Sequence, residues 1–332
     1  MMTGKQRYLA TLNGEAVDHL ARIPILMRYA AEYIGSNYGA FASDYRVLVE
    51  ANLRCAADFG YDQWSAISDP YRETTGFGGR VVYSKNEVPE CTYRPLKDSM
   101  DLARLESPDP ESSPRMRDRL MAVEALARQG PDYSILGWIE GPAAEAATLR
   151  DTENLFMDLM EEPGFVADLM DVCVEAGLAF ARAQMDRGAD TIGIGDAVVS
   201  QVSPENYRDL IRPRQLRLME GIRQMGGRVR LHICGNTTHL LDQFAGLPID
   251  ILDVDHLVDL KAARRAMGSQ VVLAGNLDPV GGVMKGTPDS IRTALVRMFG
   301  EAGQPYCVNA GCEIPSGTPV ENLKALCAPF KG

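Results

Sequence analysis

Short runs of apolar and β-branched residues alternate with amphipathic helical patterns along almost the whole chain. Eight such runs predict strands: Ile23–Met27, Asp62–Ile67, Ser134–Ile139, Thr191–Gly195, Val229–Ile233, Ile249–Val254, Val271–Ala274 and Tyr306–Asn309. The clearest helical patterns cover Phe165–Arg187, Pro204–Met225, Leu257–Met267 and Asp289–Phe299. Strands that alternate with helices of this length indicate right-handed βαβ units and a parallel sheet.

Eight strand–helix units predict an α/β protein with a closed (β/α)8 TIM barrel. One region departs from the alternation, because two extended stretches, Arg80–Tyr83 and Cys91–Tyr93, flank a polar turn. They predict a β-hairpin insertion after the second strand. Since no linker is long enough to force a boundary, we expect a single barrel domain over residues 1–332.

Composition narrows the classes of function. Of the 332 residues, 45% are hydrophobic, which is enough for a sizeable core. The net charge of −11 argues against a nucleic-acid partner, because phosphate binding needs clustered Lys and Arg. No apolar run is long enough to predict a membrane span, and Met1–Asn13 reads as a polar amphipathic helix and not as a signal core. A cytoplasmic location is therefore expected, and seven irregularly spaced cysteines fit a reducing compartment.

The strongest chemical signal is the pair His232 and Cys234 at the end of the fifth predicted strand. Side chains two apart on a strand point to the same side. Cys312 follows the eighth predicted strand, which faces the fifth across the carboxyl-terminal mouth of a barrel, where barrel active sites lie. One imidazole and two thiolates suit Zn²⁺ and leave a fourth position for substrate. The competing interpretation is structural, because a His-x-Cys pair alone seldom binds metal.

Several polar residues also follow predicted strands and are candidates for the same mouth. Asp69 and Asp196 are the candidate catalytic residues, and Arg28, Glu140 and Asn276 are candidates for substrate binding. Asp196 and Glu140 are also candidates for a fourth metal ligand. Loop capping is the alternative for each carboxylate, and a structural ion pair is the alternative for Arg28.

Longer motifs resemble the uroporphyrinogen decarboxylase superfamily, whose fold is a (β/α)8 barrel. The resemblance lies in the segments Arg22–Arg28, Ile67–Asp69, Ser203–Tyr207, His232–Asn236, Ala274–Pro279, Asn309–Glu313 and Thr318–Asn322. Two features separate this chain from true decarboxylases of that superfamily. Their second arginine is missing from Met27–Ala31, and Cys312 stands where they carry a histidine.

The His-x-Cys motif with a distant cysteine resembles the methylcobalamin:coenzyme M methyltransferase-like branch of the superfamily. The resemblance implies a zinc site at His232, Cys234 and Cys312, and methyl transfer between a methylcorrinoid and a thiol. It also implies a separate corrinoid protein as a transient partner, since the cobalamin-binding pattern D-x-H-x-x-G is missing from the chain. Two alternatives stay open: a metal-free decarboxylase using Asp69 and Arg28, and a non-catalytic barrel that binds a corrinoid or tetrapyrrole.

Overall fold

Seven parallel strands form a curled sheet in which each strand pairs with the next strand of that sheet along the chain. The computed structural model describes residues 1–106 and 108–331. The strands of this sheet are β1 (Gln63–Ser65), β4 (Ser134–Glu140), β5 (Thr191–Gly195), β6 (Arg228–His232), β7 (Ile251–Val254), β8 (Val272–Gly275) and β9 (Tyr306–Cys307). A separate antiparallel pair, β2 (Arg80–Val82) and β3 (Glu90–Tyr93), lies between β1 and β4 in the chain.

Fifteen α-helices are described, and all except the three-residue α10 contribute buried residues to the packing. They are α1 (Gly4–Leu12), α2 (Arg28–Tyr33), α3 (Tyr38–Ser43), α4 (Tyr45–Phe59), α5 (Arg72–Gly76), α6 (Pro114–Ala127), α7 (Pro142–Arg150), α8 (Thr152–Glu161), α9 (Pro163–Met185), α10 (Pro204–Asn206), α11 (Arg212–Gln224), α12 (Leu241–Phe244), α13 (Leu260–Met267), α14 (Pro288–Ala302) and α15 (Val320–Leu326). Every residue of β5 and β7 is buried, as expected for parallel strands covered on both faces. Within the described residues, no helix combines the length and the apolarity that a membrane crossing requires.

The predicted helix over Pro204–Met225 is interrupted. A π-helical turn spans Tyr207–Ile211 and separates α10 from α11. Pro213 follows this turn at the start of α11 and has no backbone N–H for the bond that a continuous α-helix would need. The wider turn accommodates the missing donor, so the amphipathic pattern continues although the regular helix does not.

The first predicted strand, Ile23–Met27, is wrong as a strand. The segment makes one isolated bridge, between Arg22 and Val308, and the chain enters α2 at Arg28. Its backbone nevertheless bonds to both sides: Ile23 N donates to Val308 O at 3.0 Å, and Asp62 N donates to Arg22 O at 2.9 Å. Pro24 has no N–H, which removes a donor that a continued ladder would use. The main sheet therefore has seven strands where eight were predicted.

The carboxyl ends of the strands meet at one end of the sheet and carry the polar residues that matter below. Glu140 is the last residue of β4 and His232 the last of β6, while Asp196 directly follows β5. Asp253 lies within β7 and is the direct register partner of His232. The parallel order of the strands therefore places these side chains at one edge.

Candidate metal centre

Three donor atoms converge at this edge. His232 Nε2 lies 3.0 Å from Cys234 Sγ, the two sulfurs of Cys234 and Cys312 are 3.3 Å apart, and Cys312 Sγ lies 3.6 Å from His232 Nε2. Within the described part of the chain, this trio is the group whose geometry suits a metal ion. The structure thus brings together the three residues that the sequence motif and the distant cysteine predict.

Local chain geometry explains how the trio meets. His232 ends β6 and Cys234 follows two residues later, so both side chains leave the same side of the chain. Cys312 arrives from the loop after β9, where Gly311 N donates to Leu277 O at 2.8 Å. A Cβ atom at Gly311 would lie 2.5 Å from the backbone nitrogen of His256. Only glycine permits this close approach, which brings Cys312 to the other two ligands.

A buried carboxylate orients the imidazole. Asp253 Oδ2 lies 3.0 Å from His232 Nδ1, and Arg230 Nε donates to the same carboxylate at 2.9 Å and 3.1 Å. Arg230 is held in turn by Gln63 Oε1 at 3.0 Å. Pairing Nδ1 with a carboxylate turns Nε2 toward the two sulfurs, which is the usual arrangement of a metal-bound histidine.

These contacts shift the pKa values of the side chains in the trio. Burial disfavours a charged imidazole, but the hydrogen bonds to Asp253 and Cys312 raise the pKa of His232 to about 10. Hydrogen bonding from Cys234, with His232 next in importance, holds the pKa of the Cys312 thiol below its ordinary value. The hydrogen bond to Cys312 and then burial raise the pKa of the Cys234 thiol above its ordinary value. Cys312 is therefore the thiolate of the pair, and metal binding would also displace the proton of Cys234.

The donor set fits Zn²⁺. Two thiolates in a zinc tetrahedron lie about 3.8 Å apart, and a thiolate and an imidazole nitrogen about 3.6 Å apart. The separation of 3.6 Å between Cys312 Sγ and His232 Nε2 matches this geometry, while the two distances from Cys234 Sγ, 3.0 Å and 3.3 Å, are about half an ångström shorter, so an outward movement of Cys234 would admit the ion. One nitrogen and two sulfurs match the preference of zinc and leave a fourth position open.

A cavity of about 290 Å³ opens in front of the trio. The residues that line it are Ile25, Met27, Tyr38, Ile67, Ser68, Asp69, Pro70, Val88, Trp138, Glu140, Gly195, Asp196, Ala197, His232, Cys234, Cys312 and Glu313. One wall is apolar and the remainder carries four carboxyl groups. The volume suits a small molecule, and the apolar wall limits the access of water to the metal position.

Asp69 and Asp196, two of the predicted acids, line this cavity, and both carboxylate oxygens of each accept hydrogen bonds from the protein. Asp69 accepts from Arg115 at 2.9 Å, from Ser68 and from the backbone N–H of Tyr71. Burial opposes ionisation of Asp69, but the charge of Arg115 prevails and its pKa lies below the ordinary value. Asp196 accepts from Ala144 N at 2.7 Å and from Gln215 at 2.8 Å. Burial raises the pKa of Asp196 to about 6.

Glu140 is different because only one of its oxygens is occupied. Oε1 accepts from Arg72 at 2.6 Å, while Oε2 has no hydrogen-bond partner among residues 1–106 and 108–331. Its side chain is 8% exposed. Burial and then the nearby charge of Glu73 raise the pKa of Glu140 to about 7, against the opposing effect of Arg72.

The remaining two predicted residues lie outside this cavity wall. Arg28 donates through Nε to Glu32 at 2.8 Å, and its side chain is 40% exposed. Asn276 donates to the backbone oxygens of Asp255 and Val258 at 3.1 Å and 2.7 Å, and it lines a separate polar cleft. In this structure both side chains are used in local contacts.

Glu313 and Trp138 are two cavity residues that the sequence did not single out as candidates. Glu313 directly follows Cys312, and its Oε1 accepts from the backbone N–H of Arg28 at 2.9 Å. Trp138 lies in β4, and its ring covers Gly193 and Gly195 of β5, where a Cβ atom would come within 2.3 Å and 3.1 Å of the indole. The spacing Gly193-x-Gly195 in an apolar strand was the available signal, because such glycines mark a close approach.

Known proteins of one family are similar to this chain over nearly its whole length. The family model described as Uroporphyrinogen decarboxylase (URO-D) matches residues 3–331. The methylcobamide:CoM methyltransferase MtbA of Methanosarcina acetivorans is 30% identical over 98% of this chain and 96% of its own length. The uroporphyrinogen decarboxylase of a Synechocystis species is 27% identical over 95% of this chain and 93% of its own. A solved methyltransferase from Methanosarcina mazei superposes with a TM-score of 0.90 at 25% identity, covering 99% and 98% of the two chains.

Proposed function

This chain belongs to the uroporphyrinogen decarboxylase (URO-D) family, and on that premise we propose that it is a zinc-dependent, corrinoid-linked methyltransferase. It would move a methyl group between a methylcorrinoid and a small thiol such as coenzyme M, the thiol (CoM) in the name of the Methanosarcina relative. The single observation that carries the proposal is the convergence of His232, Cys234 and Cys312 at the wall of a small-molecule cavity.

His232, Cys234 and Cys312 would hold the zinc, with the fourth position facing the cavity. Bound zinc supplies Lewis acidity, which lowers the pKa of a thiol and keeps its sulfur nucleophilic. Asp253 keeps His232 in the tautomer that binds metal. The apolar wall formed by Ile25, Ile67 and other residues restricts water, so the sulfur meets the methyl group rather than solvent.

The proposed methyl transfer needs no added oxidant or reductant. The thiol sulfur gives up its proton and forms the new S–CH₃ bond, while the electron pair of the broken Co–CH₃ bond stays on cobalt. Glu140 has one free carboxylate oxygen at the cavity and is suited to contact the substrate or to accept that proton. For Asp69 and Asp196 we propose a positioning role, because both oxygens of each already accept hydrogen bonds.

The donor would be presented by a separate corrinoid protein that docks at the open end of the cavity. We further propose that the segment Ala21–Ile25 acts as the eighth member of the barrel. Its backbone bonds to Val308 on one side and to Asp62 on the other, so it spans the gap between β9 and β1. In this arrangement the β2–β3 pair is the hairpin insertion of the barrel.

Decarboxylation is the second candidate, because a decarboxylase is also similar along nearly the whole chain. A porphyrinogen carries several carboxylates and needs several cationic partners. Among the described residues that line the cavity, none is Lys or Arg. The lining therefore favours methyl transfer.

The test incubates purified, zinc-loaded protein with methylcobalamin and a panel of small thiols. Methylated thiol, detected by mass spectrometry together with loss of the Co–C absorbance, supports the proposal. Release of CO₂ from uroporphyrinogen by metal-stripped protein would support the decarboxylase instead. Tight methylcobalamin binding without methyl release to any thiol would indicate the non-catalytic carrier.

A further inference from the structure

The charge of the cavity lining bears on which thiol the site accepts. Four carboxyl groups, those of Asp69, Glu140, Asp196 and Glu313, line a space of about 290 Å³. No Lys or Arg is found among the lining residues that the structure describes. Any charged group that a substrate carries into this space meets carboxyl groups and no Lys or Arg, while the charge of the proposed zinc is offset by the thiolates of Cys234 and Cys312.

The four acids are not equivalent. Asp69 and Asp196 have both oxygens engaged by protein donors and are structural in that sense. Glu140 and Glu313 each have one engaged oxygen, bonded to Arg72 and to the backbone N–H of Arg28 respectively. Their second oxygens have no hydrogen-bond partner in the described ranges, so two acceptors are left for a donor that arrives with the ligand.

The cation behind Glu140 does not neutralise this surface. Arg72 is fully buried and lies 2.6 Å from Glu140 and 3.5 Å from Glu73, so one guanidinium faces two carboxylates. Arg72 Nη1 and Glu73 Oε2 are buried without a hydrogen-bond partner among the described residues. Burial raises the pKa of Glu140 to about 7, and the charge of Glu73 adds to this rise against the opposing charge of Arg72.

Trp138 adds an aromatic surface to the same cavity, with its ring centroid 6.0 Å from that of His232. Aromatic rings attract ammonium groups, and Trp attracts them most strongly. Two carboxyl groups and an indole in the lining of one small cavity give a chemical environment for a protonated amine. A sulfonate or carboxylate in the same place would be desolvated without a cationic partner.

We propose that the thiol accepted by this chain carries a positively charged, ammonium-type group, held by Glu140, Glu313 and Trp138, and not an anionic one. The inference rests on the proposed function for the role of the thiol. It narrows the proposed function, because a lining with carboxyl groups and no Lys or Arg excludes an anionic thiol such as the sulfonate coenzyme M. The charge of Arg28 reaches Glu313, but its guanidinium bonds to Glu32 and is not part of the cavity lining.

Three thiols with the same two-carbon spacing test the proposal: cysteamine, 2-mercaptoethanol and 2-mercaptoethanesulfonate. Their binding to zinc-loaded protein is measured by isothermal titration calorimetry, which does not depend on methyl transfer. The expected order of affinity is cysteamine, then mercaptoethanol, then the sulfonate. Tighter binding of the sulfonate than of mercaptoethanol, or binding of none of the three, would overturn the proposal.

The three thiols differ in their own pKa values, and comparing each variant with the wild type cancels that difference. In Glu140→Gln the ratio of the cysteamine to the mercaptoethanol affinity should fall about tenfold, the value of one charge-assisted hydrogen bond. Glu313→Gln should lower the same ratio, and it replaces Glu140→Gln as the test if that variant does not fold. Glu153→Gln, an exposed acid at the start of α8, is the matched control and should leave the ratio unchanged. An unchanged ratio in both cavity variants contradicts the proposal. If the ratios shift but no thiol is methylated, the proposed function fails while the charge preference stands.

Discussion

Asp253 Oδ2 lies 3.0 Å from His232 Nδ1, and these two residues are direct register partners on the neighbouring parallel strands β7 and β6. The contact leaves Nε2 of His232 as the atom that faces Cys234 and Cys312. Arg230 fixes the other side of the carboxylate. The orientation of the candidate metal ligand is therefore built into the register of β6 and β7.

Replacing Asp253 with Asn should weaken zinc binding about 10- to 100-fold, because the amide no longer supports the charge and tautomer of His232. Affinity is measured by competition with a chromophoric chelator, on protein whose fold is checked by circular dichroism. Asp250→Asn is the matched control: this carboxylate bonds Arg228 and Val229 N just before β7, away from the trio. Equal zinc affinity in the two variants would show that Asp253 does not support the site.

The ring of Trp138 depends on the missing side chain of Gly193. A Cβ atom there would lie 2.3 Å from the indole, so Gly193→Ala should overpack the core and lower the free energy of unfolding by roughly 1–3 kcal/mol. Urea denaturation measures the change. Gly300→Ala in α14, where no atom lies within 4 Å of the new methyl group, should instead raise stability by about 0.5–1 kcal/mol. A neutral effect of Gly193→Ala would show that the ring is free to move.

Stability should depend on pH through Glu145. Its side chain is buried, its Oε2 has no hydrogen-bond partner among the residues that the structure describes, and burial raises its pKa well above the ordinary value. The folded state therefore holds this proton more tightly than the unfolded chain does. The resulting stabilisation is complete below the unfolded pKa of about 4.3 and is lost as pH rises toward the folded pKa, at about 1.4 kcal/mol per pH unit.

Glu145→Gln removes the group that titrates. Between pH 5.5 and 8.5, which lies above the unfolded pKa of about 4.3, the free energy of unfolding of this variant should therefore fall less steeply with pH than that of the wild type. Urea titrations at several pH values give the two slopes. The exposed Glu220→Gln on α11 controls for the added amide. Identical slopes in wild type and Glu145→Gln would mean that Glu145 is not protonated in the folded protein.

The strand pattern was largely predictable because seven of the eight apolar runs coincide with strands of the main sheet, as expected for short buried runs that helices separate. The run at Ile23–Met27 looks the same in sequence, but Pro24 and the start of α2 reduce it to one bridge. Alternation along a strand also predicted the partnership of His232 and Cys234. The barrel-like order of strands predicted the approach of Cys312.

Other features depend on register and packing that local patterns do not encode. The pairing of His232 with Asp253 follows from how β6 aligns with β7, and a shift of one residue would separate them. Arg72 and Glu73 are charged neighbours in the chain, and the packing around Glu140 buries both side chains. Asn276 follows β8 as expected and Arg28 begins α2, but nearby partners hold both side chains outside the cavity.

Zinc content tests the central claim most directly. Purified wild-type protein should hold about one zinc per chain, measured by inductively coupled plasma mass spectrometry after gel filtration. Cys312→Ala should lose it, because two ligands rarely retain zinc. Cys91→Ala, a cysteine on β3 outside the trio, should keep the wild-type content. Undiminished zinc in Cys312→Ala, or a metal-free wild type that zinc does not reconstitute, would contradict the account.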